Sequence, residues 1–362
     1  MPTRSPWSAV PPAPARELEL SCAEALVATA LGGGGAPRFE PMPGGASTRR
    51  YFRVRLGDDP RPRAVAMFVP EGGKAEEVAH GGAGAPERWP FLEVRELLAE
   101  RGVDVPALLG QDTARGWLLL EDLGDDTLAN FLLAHPSRRE ALYVRAVTDL
   151  ARAQGLLATL PRCVVTARAF DEDLLRWEID HFREWALQAR GIHLGDADRA
   201  IFDAVAGRLA RRIASWPRAF VHRDYQSRNL MVRPDGGLCW IDFQDALLGP
   251  RVYDLVALLS DSYQTFDRPF VEARLDDFAR ASGLPASERS GVGREFDLVT
   301  VQRKLKDAGR FVFIDRVKGN PSFLRFVEPT IEKVRASLAR LSDDEDMRAL
   351  LGVLSRAVPA AA

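Results

Sequence analysis

Residues 221–232 read Val221-His222-Arg223-Asp224-Tyr225-Gln226-Ser227-Arg228-Asn229-Leu230-Met231-Val232. After the turn-forming Pro234-Asp235-Gly236-Gly237 comes Leu238-Cys239-Trp240-Ile241-Asp242-Phe243-Gln244-Asp245. The pattern is H-x-D-x-x-x-x-N, a tight turn, then an apolar strand that ends in Asp. Two apolar runs joined by such a turn predict a hairpin. That hairpin brings Asn229 and Asp242 together although they are 13 residues apart. Phosphoryl transfer needs an oriented nucleophile and cations that hold the phosphate charge. Asp224 suits the carboxylate that accepts the attacking hydroxyl's proton. Asn229 and Asp242 offer the oxygen ligands that a hard cation such as Mg²⁺ prefers. His222 is expected to brace the loop through hydrogen bonds. A lone Asp or Asn here would read as a turn cap. Four such residues at this spacing around a hairpin read as the catalytic loop of a kinase-like enzyme.

Working outward, the chain changes texture. Residues 18–121 mix short strands, helices and glycine-rich loops. The run Tyr51–Leu56 alternates Phe52, Val54 and Leu56 with Tyr51, Arg53 and Arg55, as a half-buried strand does. Ala64–Val69 and Trp117–Leu120 read as buried strands, and Leu18–Leu31 and Phe91–Arg101 as helices. Residues 71–86 read as a mobile loop. Residues 122–126 form a polar hinge, and 127–358 are mostly helical in period. Ser137-x-x-Glu140 is a capping box opening one helix, and Leu174–Arg190 is predicted as another, rich in aromatics. Residues 1–15 read as a disordered Pro/Ala tail. The expected fold is therefore α+β and bilobal: a small lobe with an antiparallel sheet plus helix, and a larger, mainly helical lobe.

Composition excludes several classes. Lys plus Arg is 49 against 51 Asp plus Glu, a net charge of −2, without the basic surplus of a general nucleic-acid binder. The cysteines Cys22, Cys163 and Cys239 are too scattered for a disulfide framework, and no C-x-x-C exists for zinc. No run reaches the ~18 uninterrupted apolar residues of a membrane span. A reducing cytoplasm fits, and no obligate protein partner is implied. A peptide-phosphorylating kinase is disfavoured. No G-x-G-x-x-G lies between the first strands, and the seven residues between Asp242 and Pro250 leave no room for an activation segment.

The motif His222–Asn229 with Ile241-Asp242-Phe243 resembles the aminoglycoside phosphotransferase and choline kinase superfamily. Further stretches match one branch: Gly45-Ala46-Ser47-Thr48-Arg49-Arg50-Tyr51-Phe52-Arg53, Leu118-Leu119-Leu120-Glu121-Asp122-Leu123-Gly124, Asp242-Phe243-Gln244-Asp245-Ala246-x-x-Gly249-Pro250 and Gln302-Arg303-x-Leu305-Lys306. That branch is similar to the bacterial anomeric kinases of N-acetylmuramate and N-acetylglucosamine, which serve peptidoglycan recycling. The resemblance covers residues 40–335. It implies ATP, Mg²⁺ and transfer of the γ-phosphate to the C1 hydroxyl of an amino sugar.

Other candidate residues follow. Gly45, Ser47, Thr48 and Arg50 would cover the ATP phosphates, and the backbone of Glu121 and Leu123 would hold adenine. The lysine usual on the third strand of such lobes is missing, with Met67 in its slot, and Arg50 or Arg53 is left to supply the charge. Arg228, Gln244 and Asp245 lie beside the catalytic residues and are candidates for sugar hydroxyls or a lactyl carboxylate. Trp177, Glu178, His181 and Trp185 share a helix face that is either core or a sugar-stacking surface. Arg303 and its neighbours either approach an acidic group of the acceptor or form a solvated basic face. Asp254 reads as a brace for the loop. The competing readings are a kinase of another small hydroxyl acceptor, aminoglycoside- or choline-like, and a degenerate nucleotide-binding regulator.

Overall fold

A computed structural model describes residues 19–32, 35–43, 48–70, 88–262 and 264–359. The expected tail 1–15, the loop residues Gly45 and Ser47, and the segment 71–86 lie outside the described residues. The chain is an α+β protein of the protein-kinase-like type and divides into two compact units, Met1–Ala79 with Asp104–Asp126, and His80–Val103 with Thr127–Ala362.

The first unit holds helix α1 (Leu20–Leu31) and strands β1 (Pro37–Pro41), β2 (Arg50–Leu56) and β3 (Ala64–Phe68). In the second unit, helix α2 (Pro90–Glu100) comes next in the chain, before the first unit's remaining strands β4 (Leu108–Asp112) and β5 (Trp117–Leu120). The five strands make one antiparallel sheet in the order β1-β2-β3-β5-β4. The alternation in β2 has the expected effect: Phe52, Val54 and Leu56 enter a core with Ala66, Phe68, Trp117, Leu119 and, from α1, Ala23 and Val27. Met67, in the slot expected for lysine, is fully buried.

The two units do not divide where composition changes. Helix α2 lies inside the span 18–121 but packs with the second unit. Phe91 stacks on Phe243 at 5.0 Å, Glu93 accepts the Val164 N–H at 2.9 Å, and Arg101 donates to the Leu156 carbonyl at 2.7 Å. Its Leu/Val stripe could not reveal which partner it would bury against.

The second unit continues with α3 (Leu128–Ala134), α4 (Arg139–Leu156), α5 (Glu172–His181) and α6 (Asp196–Ala214). Four short strands follow, β6 (Arg218–Val221), β7 (Leu230–Val232), β8 (Leu238–Trp240) and β9 (Leu247–Pro250). Helices α7 (Tyr253–Leu259), α8 (Arg268–Ala281), α9 (Ala286–Lys318), α10 (Val327–Arg340) and α11 (Glu345–Ala357) complete it. Asp171 and Asp267 cap α5 and α8 by accepting the N–H groups of Leu174 and Phe270. The capping box at Ser137 does not form. A 3₁₀ turn over Pro136–Arg138 precedes α4, Arg138 takes the cap position, and no side chain caps that end.

The predicted single helix over Leu174–Arg190 is three pieces. After α5, residues Phe182–Leu187 widen into a π-helical turn, and Gln188–Arg190 close as 3₁₀. The α9 helix runs against this stretch. At Gly309 the two backbones come so close that a Cβ would sit 2.2 Å from the His181 carbonyl oxygen. Only glycine fits there. Among the described residues, no helix is long and apolar enough to cross a membrane.

Candidate active site

The hairpin β7–β8 has the register Leu230↔Trp240, Met231↔Cys239 and Val232↔Leu238. Its turn is closed by the Gly236 N–H on the Arg233 carbonyl at 2.8 Å, with Gly236 in the left-handed region at φ 83°. The register places Asn229 opposite Ile241, whose N–H donates to the Asn229 carbonyl at 3.0 Å. Asp242 is the next residue, so chain pairing alone delivers Asn229 and Asp242 to the same end of the hairpin.

Asp224 and Asn229 are tied directly. The Asn229 side-chain Nδ2 donates to the Asp224 carbonyl at 2.8 Å, and the Asn229 and Gln226 N–H groups close the loop onto Gln226 and Asp224. With its nitrogen so used, the Asn229 amide still has its oxygen as an acceptor. The Asp224 side chain is 41 % exposed, so an acceptor hydroxyl can reach it. Tyr225 and Ser227 anchor the loop from beneath, donating to the Ala146 carbonyl at 2.9 Å and to Asp261 Oδ2 at 2.7 Å.

Two residues here adopt backbone angles that L side chains rarely take, Arg223 at φ 81° and Asp242 at φ 62°. Such conformations persist only where surrounding contacts hold them, and they concentrate at working sites. Asp254, at the start of α7, holds the first. Its two oxygens accept the N–H groups of His222 and Arg223 at 2.6 and 2.9 Å. This is the brace expected of Asp254. Burial pushes its carboxyl up to about 7, against the two N–H donors and Arg303, which favour the anion.

His222 braces the loop through a hydrogen bond, as expected, and the donor is its backbone N–H, while its ring is fully buried. The ring packs edge-on against Tyr225 and Trp240, each 5.7 Å away. Burial lowers its pKa to about 4, so it is a neutral packing element at neutral pH.

Four of the expected acceptor-binding side chains are committed to the protein. Glu178 is fully buried; it faces the Arg223 guanidinium at 3.5 Å, accepts from Gln302 Nε2 at 2.8 Å, and takes the Tyr253 hydroxyl at 3.4 Å. Arg303 is 4 % exposed and contacts the loop itself, through the Arg223 carbonyl at 2.8 Å and Asp224 Oδ1 at 3.3 Å. Burial opposes its charge, but Tyr253, Asp307, Asp224 and Glu178 around it raise its pKa well above the usual value. Gln244 is buried too, and its Nε2 clasps Asp242 Oδ1 at 2.9 Å and Asp245 Oδ2 at 3.1 Å. Asp245, half-buried, is thereby tied to the metal-side carboxylate. Of the acceptor candidates only Arg228 is exposed.

The basic run after Gln302 is neither a solvated face nor a free one. Lys304 and Lys306 are buried and share Asp307, at 2.8 and 3.4 Å. Arg223 and Arg168, which hold Glu178 and the Gln244 carbonyl, were not singled out from sequence. An arginine between the motif's His and Asp was the available signal.

In the first unit, Arg53 is not a free phosphate cation. It makes a fork onto Asp122, with Nε at 2.8 Å, and onto Asp125, with Nη1 at 3.0 Å. Arg50 and Thr48 are exposed, and the Arg50 guanidinium lies over the Phe52 ring at 5.7 Å. The Glu121 N–H and Oε2 both bond Ala107, through its carbonyl and its N–H. Leu123 is half-buried on the same segment.

A cavity of about 460 Å³ opens where α8, α9 and α10 meet. No motif residue lines it, and its arginines Arg268 and Arg340 are both held by the buried Asp297.

Asn229 and Asp242 suit Mg²⁺: one carboxylate and one amide oxygen, with the remaining positions left for water and phosphate oxygens, is how that ion is usually held. Among the described residues no group of three or more His, Cys, Asp or Glu side chains forms an all-protein metal cage.

Comparison with known proteins supplies the family. The model of the phosphotransferase enzyme family APH matches residues 38–290. The chain is 34 % identical over 341 residues to an N-acetylmuramate/N-acetylglucosamine kinase of Pseudomonas aeruginosa, covering 91 % of this chain and 93 % of that one. It is 36 % identical over 241 residues to the protein of the same name in Pseudomonas putida, covering 65 % and 68 %. Its fold is similar to that of the aminoglycoside phosphotransferase APH(2")-IIa, solved as a streptomycin–ATP ternary complex, with a TM-score of 0.56, 13 % identity, and coverage of 92 % of this chain and 99 % of that one. The hairpin that joins Asn229 to Asp242, the loop that presents Asp224 and the family match lead to one statement: this chain belongs to the APH phosphotransferase enzyme family.

Proposed function

We propose that the protein is an ATP-dependent sugar kinase that transfers the γ-phosphate to the anomeric C1 hydroxyl of N-acetylmuramate, N-acetylglucosamine or both. The observation that carries the reading is the exposed Asp224 carboxylate, tied by its own backbone to Asn229 and through the hairpin to Asp242. The names of the relatives, at 34 and 36 % identity, supply the acceptor class.

In this reading Asp224 accepts the proton of the attacking hydroxyl. A hemiacetal hydroxyl is a better acid than an ordinary alcohol, so an unassisted carboxylate is an adequate base. Asn229 and Asp242 would hold Mg²⁺, which when bound supplies charge neutralisation of the phosphate oxygens. Gln244 keeps Asp242 and Asp245 side by side. Arg303, Asp254 and Glu178 fix the loop behind the base, so that its carboxylate needs little reorganisation during reaction. Thr48 and Arg50, with Gly45 and Ser47, would take the ATP phosphates. Glu121 uses its N–H on Ala107, so adenine would meet its carbonyl oxygen and the backbone of Leu123. Use of ATP supports a cytoplasmic setting for the reaction.

The test is phosphorus NMR of the product formed with each sugar. A C1 phosphate is expected; signal only at C6, or no sugar phosphate at all, defeats the anomeric assignment. Asp224→Asn should lower kcat by at least ~10²-fold, the usual contribution of a positioned base.

A further inference from the structure

The half-exposed aromatics of the second unit are not consumed by its core. Trp177 on α5 meets His181 edge-on at 4.3 Å, and Trp185 in the π-helical turn meets Phe313 of α9 edge-on at 5.0 Å. The His181 ring lies 6.2 Å from that of Phe313 and joins the two pairs. The Arg310 guanidinium lies over Phe313 at 5.0 Å. Trp177, Trp185 and Arg310 each keep part of their surface in solvent.

Two features of the backbone build this cluster. The π-helical turn shifts Trp185 out of the register that a regular α-helix would give, and such turns are frequent at functional sites. Gly309 lets α9 approach His181 closely enough to bring Phe313 under Trp185. The cluster also has a defined direction from the base. Arg303 touches Asp224, and Arg310 stands seven residues further on α9. Seven residues return a side chain to within about 20° of the same direction, and advance about 10 Å along the axis.

We propose that Trp177, Trp185 and Arg310, backed by the buried Phe313, form an acceptor subsite: the two tryptophan rings stack on the pyranose and its N-acetyl group, and Arg310 takes a carboxylate carried by the sugar. This rests on the proposed function. It assigns the preference for an acidic sugar, N-acetylmuramate with its lactyl ether, to Arg310, and the affinity for either sugar to the aromatic rings. Flat apolar rings match the C–H faces of a sugar, and a guanidinium fork matches a carboxylate.

The experiment is steady-state kinetics with N-acetylmuramate and with N-acetylglucosamine, for wild type, Arg310→Gln, Arg310→Lys, Trp177→Ala and Trp185→Ala. Losing a charge-assisted hydrogen bond should lower kcat/KM of Arg310→Gln for N-acetylmuramate about ten- to a hundredfold, mainly through KM. N-acetylglucosamine turnover and the KM for ATP should stay within about twofold of wild type. Arg310→Lys should recover part of the loss, and the tryptophan variants should weaken both sugars alike. Equal loss on both sugars in Arg310→Gln, or none on either, overturns the assignment.

Sugar-induced quenching of tryptophan fluorescence separates this proposal from the one beneath it. If wild type phosphorylates neither sugar but N-acetylmuramate still quenches its fluorescence, and Arg310→Gln abolishes that quenching, the subsite stands and the reaction assignment falls. Absence of quenching in wild type sinks the subsite.

Discussion

Arg303 grips Asp224 and the residue before it at the same time: Nη2 lies 3.3 Å from the Asp224 carboxylate, and Nη1 donates to the Arg223 carbonyl at 2.8 Å. Its guanidinium lies over the Tyr253 ring at 4.7 Å, so the whole side chain is fixed before any ligand arrives. One planar fork therefore sets both the position of the base and the unusual backbone beneath it. Arg303→Met should lower kcat about ten- to a hundredfold, the loss expected for charge-assisted hydrogen bonds of this kind, with KM for ATP nearly unchanged. Arg303→Lys, which has no fork, should recover only part of it. Added guanidinium ion should partly restore Arg303→Gly, an outcome that a purely structural role would not give.

Asp254 and His222 predict an unusual pH response. In the folded chain burial lowers His222 from 6.5 to about 4 and raises Asp254 from 3.8 to about 7. Between pH 4 and 6.5 the unfolded chain binds the extra proton at His222, so that residue makes stability rise with pH. Between pH 3.8 and 7 the folded chain binds the extra proton at Asp254, so that residue makes stability fall with pH. Each effect is on the order of 3 kcal/mol when fully developed, and the two oppose. Urea midpoints of wild type should therefore change little from this pair between pH 4.5 and ~6.5. Asp254→Asn should show stability rising with pH across that window, and His222→Leu should show it falling. Parallel curves for all three proteins would contradict the assignment.

Gly309→Ala should destabilise the second unit, because its Cβ would be forced against the His181 carbonyl oxygen, 2.2 Å away, and backbone must move. Overpacking of this kind costs about 1–3 kcal/mol. The change is read as a lower thermal midpoint. It should be accompanied by altered tryptophan emission, since the Trp185 and Phe313 contact depends on this approach.

In the first unit, Arg53→Ala leaves Asp122 without its fork, with the Asp122 side chain only 7 % exposed. The pair is partly buried, so the loss should be about 1–3 kcal/mol. If Glu121 and Leu123 hold adenine, the same variant should also raise the KM for ATP while the KM for the sugar holds steady.

The sheet of the first unit and the hairpin were readable because a period of two, or a turn sequence, states them within a few residues. Tyr51–Leu56 and Pro234–Gly237 are such cases. Glu178 was not readable in the same way. A carboxylate on an aromatic helix face looks identical whether it meets a sugar or buried partners 45 and 124 residues away. Arg303 and Gln244 were placed in the right neighbourhood but given the wrong audience, since sequence does not show which side of a loop a side chain will occupy. The π-helical turn after α5 was invisible for a related reason: it accompanies the close approach of Gly309 on another helix. Ser137 misled because Pro136 starts a 3₁₀ turn before the helix can use the serine as a cap.

The left-handed backbone at Asp242 has a practical corollary for anyone dissecting this enzyme by mutagenesis. Aspartate and asparagine tolerate that conformation better than alanine or glutamate do. Alanine scanning at this position would thus remove an oxygen donor and distort the chain in one stroke, and its phenotype would be uninterpretable. Asparagine keeps the backbone and an oxygen donor while removing the charge, and glycine keeps the backbone while removing the whole side chain.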